Sequence, residues 1–418
     1  MRLASALLIG LLSWACASAG ARAPAATGQT RSGDPLASLV ASLRPWPRAD
    51  SAGLLAVTDP TTGRIASYDS ALVVLALLRA GDRVRAARVL QGLAALQNAD
   101  GGIPFAFTLP EPDREQRYER AGAIAWVGYA AGEYLDAAPG GPARDAVLQL
   151  AHRVGGYLVA HQVTIAGDPR EGLVRGGTGT IHYKLEGSTV REVFEPAEVV
   201  WTSVEHNVDA YFMLRALARV TGTRAYGNAA DRIARALAAR AYDAQIDQFA
   251  EGVAPDGPDR TQALDCASWG SIFLSATGDV ERASKAFAVS DERYASRDAR
   301  SGARGHRPYA RGPLFGDPAL MRHFAPMLPA QTWERLEAVW PEGSAGVALA
   351  AWRTGHVDRA RAILNALEPL RAADGSLPTS TVDVPFLLDT RPSVAGTAWA
   401  FLVRFELDRS DRPTLWAP

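Results

Sequence analysis

Tyr68-Asp69-Ser70-Ala71-Leu72-Val73-Val74-Leu75-Ala76-Leu77-Leu78-Arg79 is apolar on nearly every side. A helix with that pattern is buried all round. Gly81 follows, and residues 82–96 then read differently. Arg83, Arg85 and Arg88 alternate with Val89, Leu90, Leu93 and Leu96, so this second helix keeps one face in solvent. A buried helix, a glycine turn and an amphipathic helix make a helical hairpin.

The chain repeats this hairpin. Apolar 121–135 precedes amphipathic 143–159. Residues 204–220 precede 225–242 across Thr221-Gly222, 265–277 precede 280–288 across Gly278, and 343–352 precede 357–370 across Gly355. Residues 394–407 form a sixth apolar helix. Its partner is expected from 35–43, where Asp34 is placed to cap and Pro35 to occupy the first helical position. Gly81 to Pro104 overlays on Gly355 to Pro378 without a gap, matching Arg85 with Arg359, Leu90 with Leu364, Leu93 with Leu367, Leu96 with Leu370, Asp100 with Asp374 and Gly101 with Gly375. Such repeats mean a solenoid or a closed array. An open solenoid exposes one surface of each pair, whereas here one helix of every pair is apolar all round. The expectation is an all-α fold, an (α/α)6 toroid, as a single domain over residues 35–418. Two stretches break the repeat. Residues 164–200, with Gly172, Gly176, Gly177, Gly179 and Gly187 among β-formers, predict a β-hairpin insertion. Residues 290–329, rich in Arg, Gly and Pro, predict a long ordered loop or lid.

The 418 residues are 48% hydrophobic with a net charge of -1. That balance leaves no basic footprint for nucleic acid and no polybasic membrane patch. Residues 1–19 have the layout of a secretory signal: Arg2, an apolar run to Trp14, then Ala17-Ser18-Ala19. The run is too short to span a bilayer. Export to the periplasm or medium is expected, with residues 20–34 as a flexible lead-in. Cys16 offers a lipid-anchored alternative, although Ser13-Trp14-Ala15-Cys16 is a poor lipobox. With the signal removed, Cys266 is the sole cysteine, which excludes an intramolecular disulfide and a cysteine zinc site. A monomer without cofactor or metal is expected: no loop has EF-hand spacing, and His182, His306 and His323 lack ligand spacing.

In a closed ring the starts of the inner helices converge at one end. Those starts carry Tyr68-Asp69, Glu119-Arg120, Trp201 with Glu205-His206-Asn207 and Asp209, Asp265 with Trp269, and Trp340 with Glu342. Asp69, Glu205, Asp265 and Glu342 would line one pit, with Tyr68, Trp201, Trp269 and Trp340 nearby. Any one acid could simply complement its own helix dipole, worth under ~1 kcal/mol; four together point to a site. Carboxylates among aromatic platforms suit a carbohydrate, the rings stacking on sugar faces and the acids binding hydroxyls or doing hydrolysis. The Arg297, Arg300, Arg304, Arg307 and Arg311 cluster reads first as a solvated loop.

The chain resembles the six-hairpin (α/α)6 glycosidase-like enzymes. Pro341-Glu342-Gly343 before an apolar helix is similar to the acid-bearing Glu-Gly of some inverting members, and Tyr68-Asp69 is placed as the partner carboxylate. The resemblance implies a glycoside hydrolase acting on a polysaccharide or oligosaccharide, with Glu342 as general acid and Asp69 or Glu205 as base on a water. Tyr68, Trp201, His206, Asn207, Asp209, Asp265, Trp269, Trp340 and Arg120 are the expected substrate contacts. One alternative is a polysaccharide lyase or uronate epimerase, in which His206 with Tyr183 or Tyr68 takes the proton and Asn207 and Arg120 neutralise the uronate. Another is a non-catalytic glycan-binding ring. Gln97-Asn98-Ala99-Asp100-Gly101-Gly102 resembles turns of terpene-cyclase-type toroids, but no Asp-x-Asp-Asp motif accompanies it; it reads as a structural turn.

Overall fold

The computed structural model describes residues 33–45, 53–108, 118–137, 140–409 and 414–417. The expected signal, most of the lead-in and Cys16 lie outside them. The helices are α1 (Pro35–Ala41), α2 (Ser67–Arg79), α3 (Arg83–Ala95), α4 (Ala121–Ala137), α5 (Pro142–Ala160), α6 (Val204–Thr221), α7 (Arg224–Ala236), α8 (Leu264–Ala276), α9 (Val280–Arg293), α10 (Pro318–Phe324), α11 (Pro341–Arg353), α12 (Val357–Leu367) and α13 (Val394–Arg409). None is long and apolar enough to cross a membrane.

Helices α2, α4, α6, α8, α11 and α13 pack each against the next, and α13 returns to α2. The ring is therefore closed. Its members are the apolar helices of the sequence: in α2 every residue from Ser67 to Leu77 is buried, and in α11 every residue from Pro341 to Trp352. Helices α3, α5, α7, α9 and α12 back their inner partners, and α1 packs on α13 as the sixth. The overlaid repeats explain how. Gly101 and Gly375 have φ of 95° and 92°. A Cβ on Gly101 would stand 2.3 Å from the Arg153 carbonyl on α5, and one on Gly375 would stand 2.5 Å from the backbone of Asp34, next to α1. Each turn leaving an outer helix thus abuts the next outer element, which only glycine permits at that approach.

The all-α expectation needs correction. Helix accounts for 52% and strand for 19%. Strands β1 (Leu43–Pro45), β2 (Leu54–Asp59), β3 (Arg64–Ala66) and β4 (Ala106–Thr108) form an antiparallel sheet beside α2 and α3. The expected hairpin is present and long: β5 (Glu119–Arg120) pairs with β6 (Gly177–Glu186), which pairs with β7 (Thr189–Val199). The stretch around 290–329 is also ordered, with a two-stranded pair, Ala295–Arg297 and Arg304–His306, followed by α10. Its arginines behave as a solvated loop: Arg300, Arg304 and Arg311 are exposed and Arg297 pairs with Glu337.

Candidate active site

Ser203 caps α6 by accepting from the His206 N–H at 3.3 Å, which sets the register of the next turn. Glu205 and Asp209 then fall one turn apart on the inner side of α6. Asp265 lies in the first turn of α8 and Glu342 in the first turn of α11. Ring closure brings these four acids together. With Tyr68, Trp126, Ser268, Trp269 and Trp399 they line a narrow pit. Its free interior accommodates about one water.

Glu342 is held by a chain of donors. The Tyr68 hydroxyl donates to Glu342 Oε1 at 2.7 Å, and the Trp399 indole N–H donates to the Tyr68 oxygen at 2.7 Å. Burial, then the charges of Asp265 and Asp69, drive the Glu342 carboxyl well above the usual range, against the hydrogen bonds from Tyr68 and Trp340. Glu205 retains some accessible surface yet is surrounded by protein; burial and the charges of Asp265, Asp209 and Glu342 raise it well above its ordinary value. Asp209 is 5% exposed and receives the Trp269 indole N–H at 2.8 Å, while its Oδ2 finds no partner. Its carboxyl is also pushed well up, first by burial. Asp265 is raised by burial to about 7. Crowded acids in a desolvated pit cannot all ionise; burial and mutual repulsion favour the protonated forms of Glu342, Glu205 and Asp209 most strongly, and Asp265, at about 7, least.

The other expected contacts are placed differently. Asp69 is buried beside the pit but does not line it; Thr58 on β2 donates to its carboxylate at 2.7 Å, and burial lifts it to about 6. Asn207 does not line the pit and is engaged with backbone. It is fully buried, its Oδ1 accepts from the Val174 N–H at 2.7 Å, and its Nδ2 donates to the Val174 and Ser203 carbonyls at 3.0 and 2.8 Å. Arg120 is likewise occupied: its Nη1 donates to the Glu119 and Gly179 carbonyls at 2.8 and 2.7 Å, stitching α4 to β6, and its guanidinium lies 4.5 Å from the Tyr118 ring centre. Trp201 is half-buried and lies 6.1 Å from the His206 ring, outside the pit lining. His206 is buried with Nδ1 unpartnered, and burial together with the Arg120 charge lowers it to about 3. Trp340 precedes α11 and packs over Gly343, where a Cβ would meet its ring at 2.3 Å.

Four features of the site carry no sequence signal of their own. Trp126 and Trp399 are interior positions of apolar helices, and only closure shows that they face the pit. Glu251, in the loop after Phe249, accepts from the Tyr309 hydroxyl at 3.2 Å; burial and the neighbouring Asp259 raise it to about 8. Trp416 closes the opposite end. It stacks on Trp399 with ring centres 4.9 Å apart and meets Trp126 and Trp269 edge-on at 5.4 and 5.2 Å. The Tyr129 hydroxyl accepts its backbone N–H at 2.7 Å.

The closed six-hairpin ring defines the fold class: an (α/α)6 toroid. Solved structures of that architecture align over nearly the whole chain. A D-mannose isomerase matches with a TM-score of 0.60 at 10% identity, covering 90% of this chain and 96% of that one. A glycosidase variant in complex with glucose matches at 0.58 and 13% identity, over 92% and 96%. A family 76 α-mannanase from Bacteroides thetaiotaomicron matches at 0.54 and 11% identity, over 89% and 93%. No family description and no curated protein sequence matches the chain.

Proposed function

We propose that the chain is an exported carbohydrate-active enzyme and, within that class, a glycoside hydrolase using paired carboxyl groups. The observation that carries this reading is Glu342. It is buried, its carboxyl is pushed well above the usual range, it is hydrogen-bonded by Tyr68, and it shares the pit with Asp265. Glu342 gives its proton to the glycosidic oxygen as the bond to the anomeric carbon breaks. Asp265, the least perturbed of the four acids, takes a proton from the water that attacks that carbon. Glu205 and Asp209, whose carboxyls are pushed well up by burial, offer hydrogen bonds to sugar hydroxyls beside a transition state with oxocarbenium character. Trp126, Trp269 and Trp399 supply apolar faces for the sugar ring. Asp265 replaces Asp69 in this scheme, because Asp69 is bound by Thr58 away from the pit. Solved glycosidases of the same fold support the substrate class.

The lyase or epimerase reading keeps Tyr68 in the pit, but its other groups are placed elsewhere. Arg120 and Asn207 are taken up by backbone carbonyls, and Tyr183 packs on Phe386 with ring centres 4.2 Å apart. The test is a screen of wild type and Glu342→Gln against neutral and acidic polysaccharides and oligosaccharides. New reducing ends in wild type and none in the variant are expected. Equal activity in both would remove Glu342 from its role. An unsaturated, ultraviolet-absorbing product would mean a lyase, and a changed sugar with no new reducing end an isomerase.

A further inference from the structure

The β6–β7 hairpin reaches from one side of the ring to the other. The order of packing around the ring is α2, α4, α6, α8, α11, α13, so α13 stands opposite α6 and α11 opposite α4. The hairpin is rooted between α4 and α6: its base pairs with Arg120 at the start of α4, and β7 runs into the start of α6. Its outer half ends on the far side. Tyr183, the seventh residue of β6, packs against Phe386 in the loop before α13 with ring centres 4.2 Å apart, and Phe386 meets Phe324 of α10, before α11, at 5.7 Å. The ladder stays paired from Thr180↔Glu195 to Glu186↔Thr189. From Gly177 to Tyr183 the strand rises ~20 Å at ~3.3 Å per residue, with one register irregularity between Thr178 and Thr180 near its base. Its path from one side of the ring to the other is a chord. All three contact elements precede inner helices, so the chord lies at the acid-bearing end. Phe386 holds φ of 62° to make the contact, a cost a non-glycine residue bears only where surrounding structure enforces it.

The other end is shut as well. Trp416 fills the floor beneath Trp126, Trp269 and Trp399, anchored by the Thr414 and Leu415 N–H groups donating to Glu406 at 2.7 and 3.2 Å. A pit with a floor and a bar across its mouth has no through-path for a polymer.

We propose that the β6–β7 hairpin, clasped by Tyr183, Phe386 and Phe324, roofs the pit, so that the site takes the end of a glycan chain or a small saccharide and not the interior of a polysaccharide. The cleavage pattern this implies, release of small units from chain ends, rests on the hydrolase reading; the pocket shape does not.

Two measurements separate those layers. The first is calorimetric binding of an oligosaccharide length series to Glu342→Gln. A pocket gives affinities that rise over about three sugar units and then change by less than about twofold, because added units meet no new surface. The second is the product pattern of wild type beside Phe386→Gly and Tyr183→Ala, with acrylamide quenching of the tryptophans. Glycine suits φ of 62°, so Phe386→Gly removes the clasp without straining the loop. Wild type is expected to release small products from the first minutes while polymer viscosity falls slowly. Both variants are expected to show greater quenching and internal cleavage. Long fragments from wild type at the outset, affinity climbing through roughly six units, or variants with unchanged quenching and products would each overturn the roof. A binding plateau without turnover on any saccharide would keep the pocket and discard the hydrolase reading. No binding by any oligosaccharide would overturn the pocket as a glycan site.

Discussion

At the mouth of the barrel the inner helices begin with Glu205, Asp265 and Glu342; at the floor the same ring of helices ends in Arg79, Glu133, Arg219, Arg353 and Glu406. The floor charges are matched. Arg79 lies 3.1 Å from Glu133 and 3.0 Å from Glu406, Arg219 lies 3.6 Å from Glu133, and the Arg353 guanidinium donates to the Leu415 carbonyl. The mouth groups are all acids, and burial pushes their carboxyls upward. Buried groups of one sign are costly unless something else requires them, so their concentration at one end marks that end as the site. Short glycine turns join helices at the floor, while the hairpin and α10 are inserted at the mouth. One end is built to hold the ring closed and the other to do chemistry.

The sharpest way to break this contrast is Glu342→Gln. Loss of a general acid lowers kcat by about 10²- to 10⁴-fold, while a mouth residue should leave thermal unfolding nearly unchanged or raise its midpoint. Trp416→Ala is the converse: truncating a buried Trp at the floor costs ~3–5 kcal/mol by chemical denaturation. A variant at either end that behaved like the other would erase the division.

Stability should also depend on pH through the acids of the mouth. Asp265 and Glu251 have folded-state pKa values of about 7 and about 8, above those of the unfolded chain. The folded protein therefore binds more protons, and stability falls as pH rises from about 4 through 8. Asp265→Asn should flatten that decline, followed by unfolding midpoints across the range. A decline of unchanged slope would show that Asp265 titrates normally.

Much of this division is legible in the sequence, since it follows from which helices are apolar all round. The ring, its six hairpins and the convergence of Glu205, Asp265 and Glu342 come from periodicity. Asn207 and Arg120 mislead because they stand in a row of polar residues at helix starts, and spacing does not tell whether a polar group meets substrate or backbone. Trp416 is silent because it lies beyond the last periodic helix and owes its place to a tertiary cavity. The strands β1–β4 are short and their pairing is non-local, which no local pattern reports.

Asn207→Ala tests that ambiguity with a smaller effect. Removing its side chain strands the buried Val174 N–H and C=O, costing about 1–3 kcal/mol. Turnover per folded molecule should be unchanged; a fall in kcat beyond about tenfold, or ~1.4 kcal/mol, would return Asn207 to the site.

The smallest expected effect is at the floor, in the turn that first suggests the hairpin. Gly81 has φ of 81°, and a Cβ there would meet nothing within 4 Å. Gly81→Ala therefore costs only the left-handed backbone penalty, about 1–2 kcal/mol, with no steric term and no change in kcat. The equivalent change at Gly101 on the mouth side adds a clash with the Arg153 carbonyl to the same penalty. Denaturant midpoints of the two variants should then differ with Gly101→Ala lower. Equal midpoints would mean that the contact between successive outer elements yields without cost, and that the ring is held by its inner layer alone.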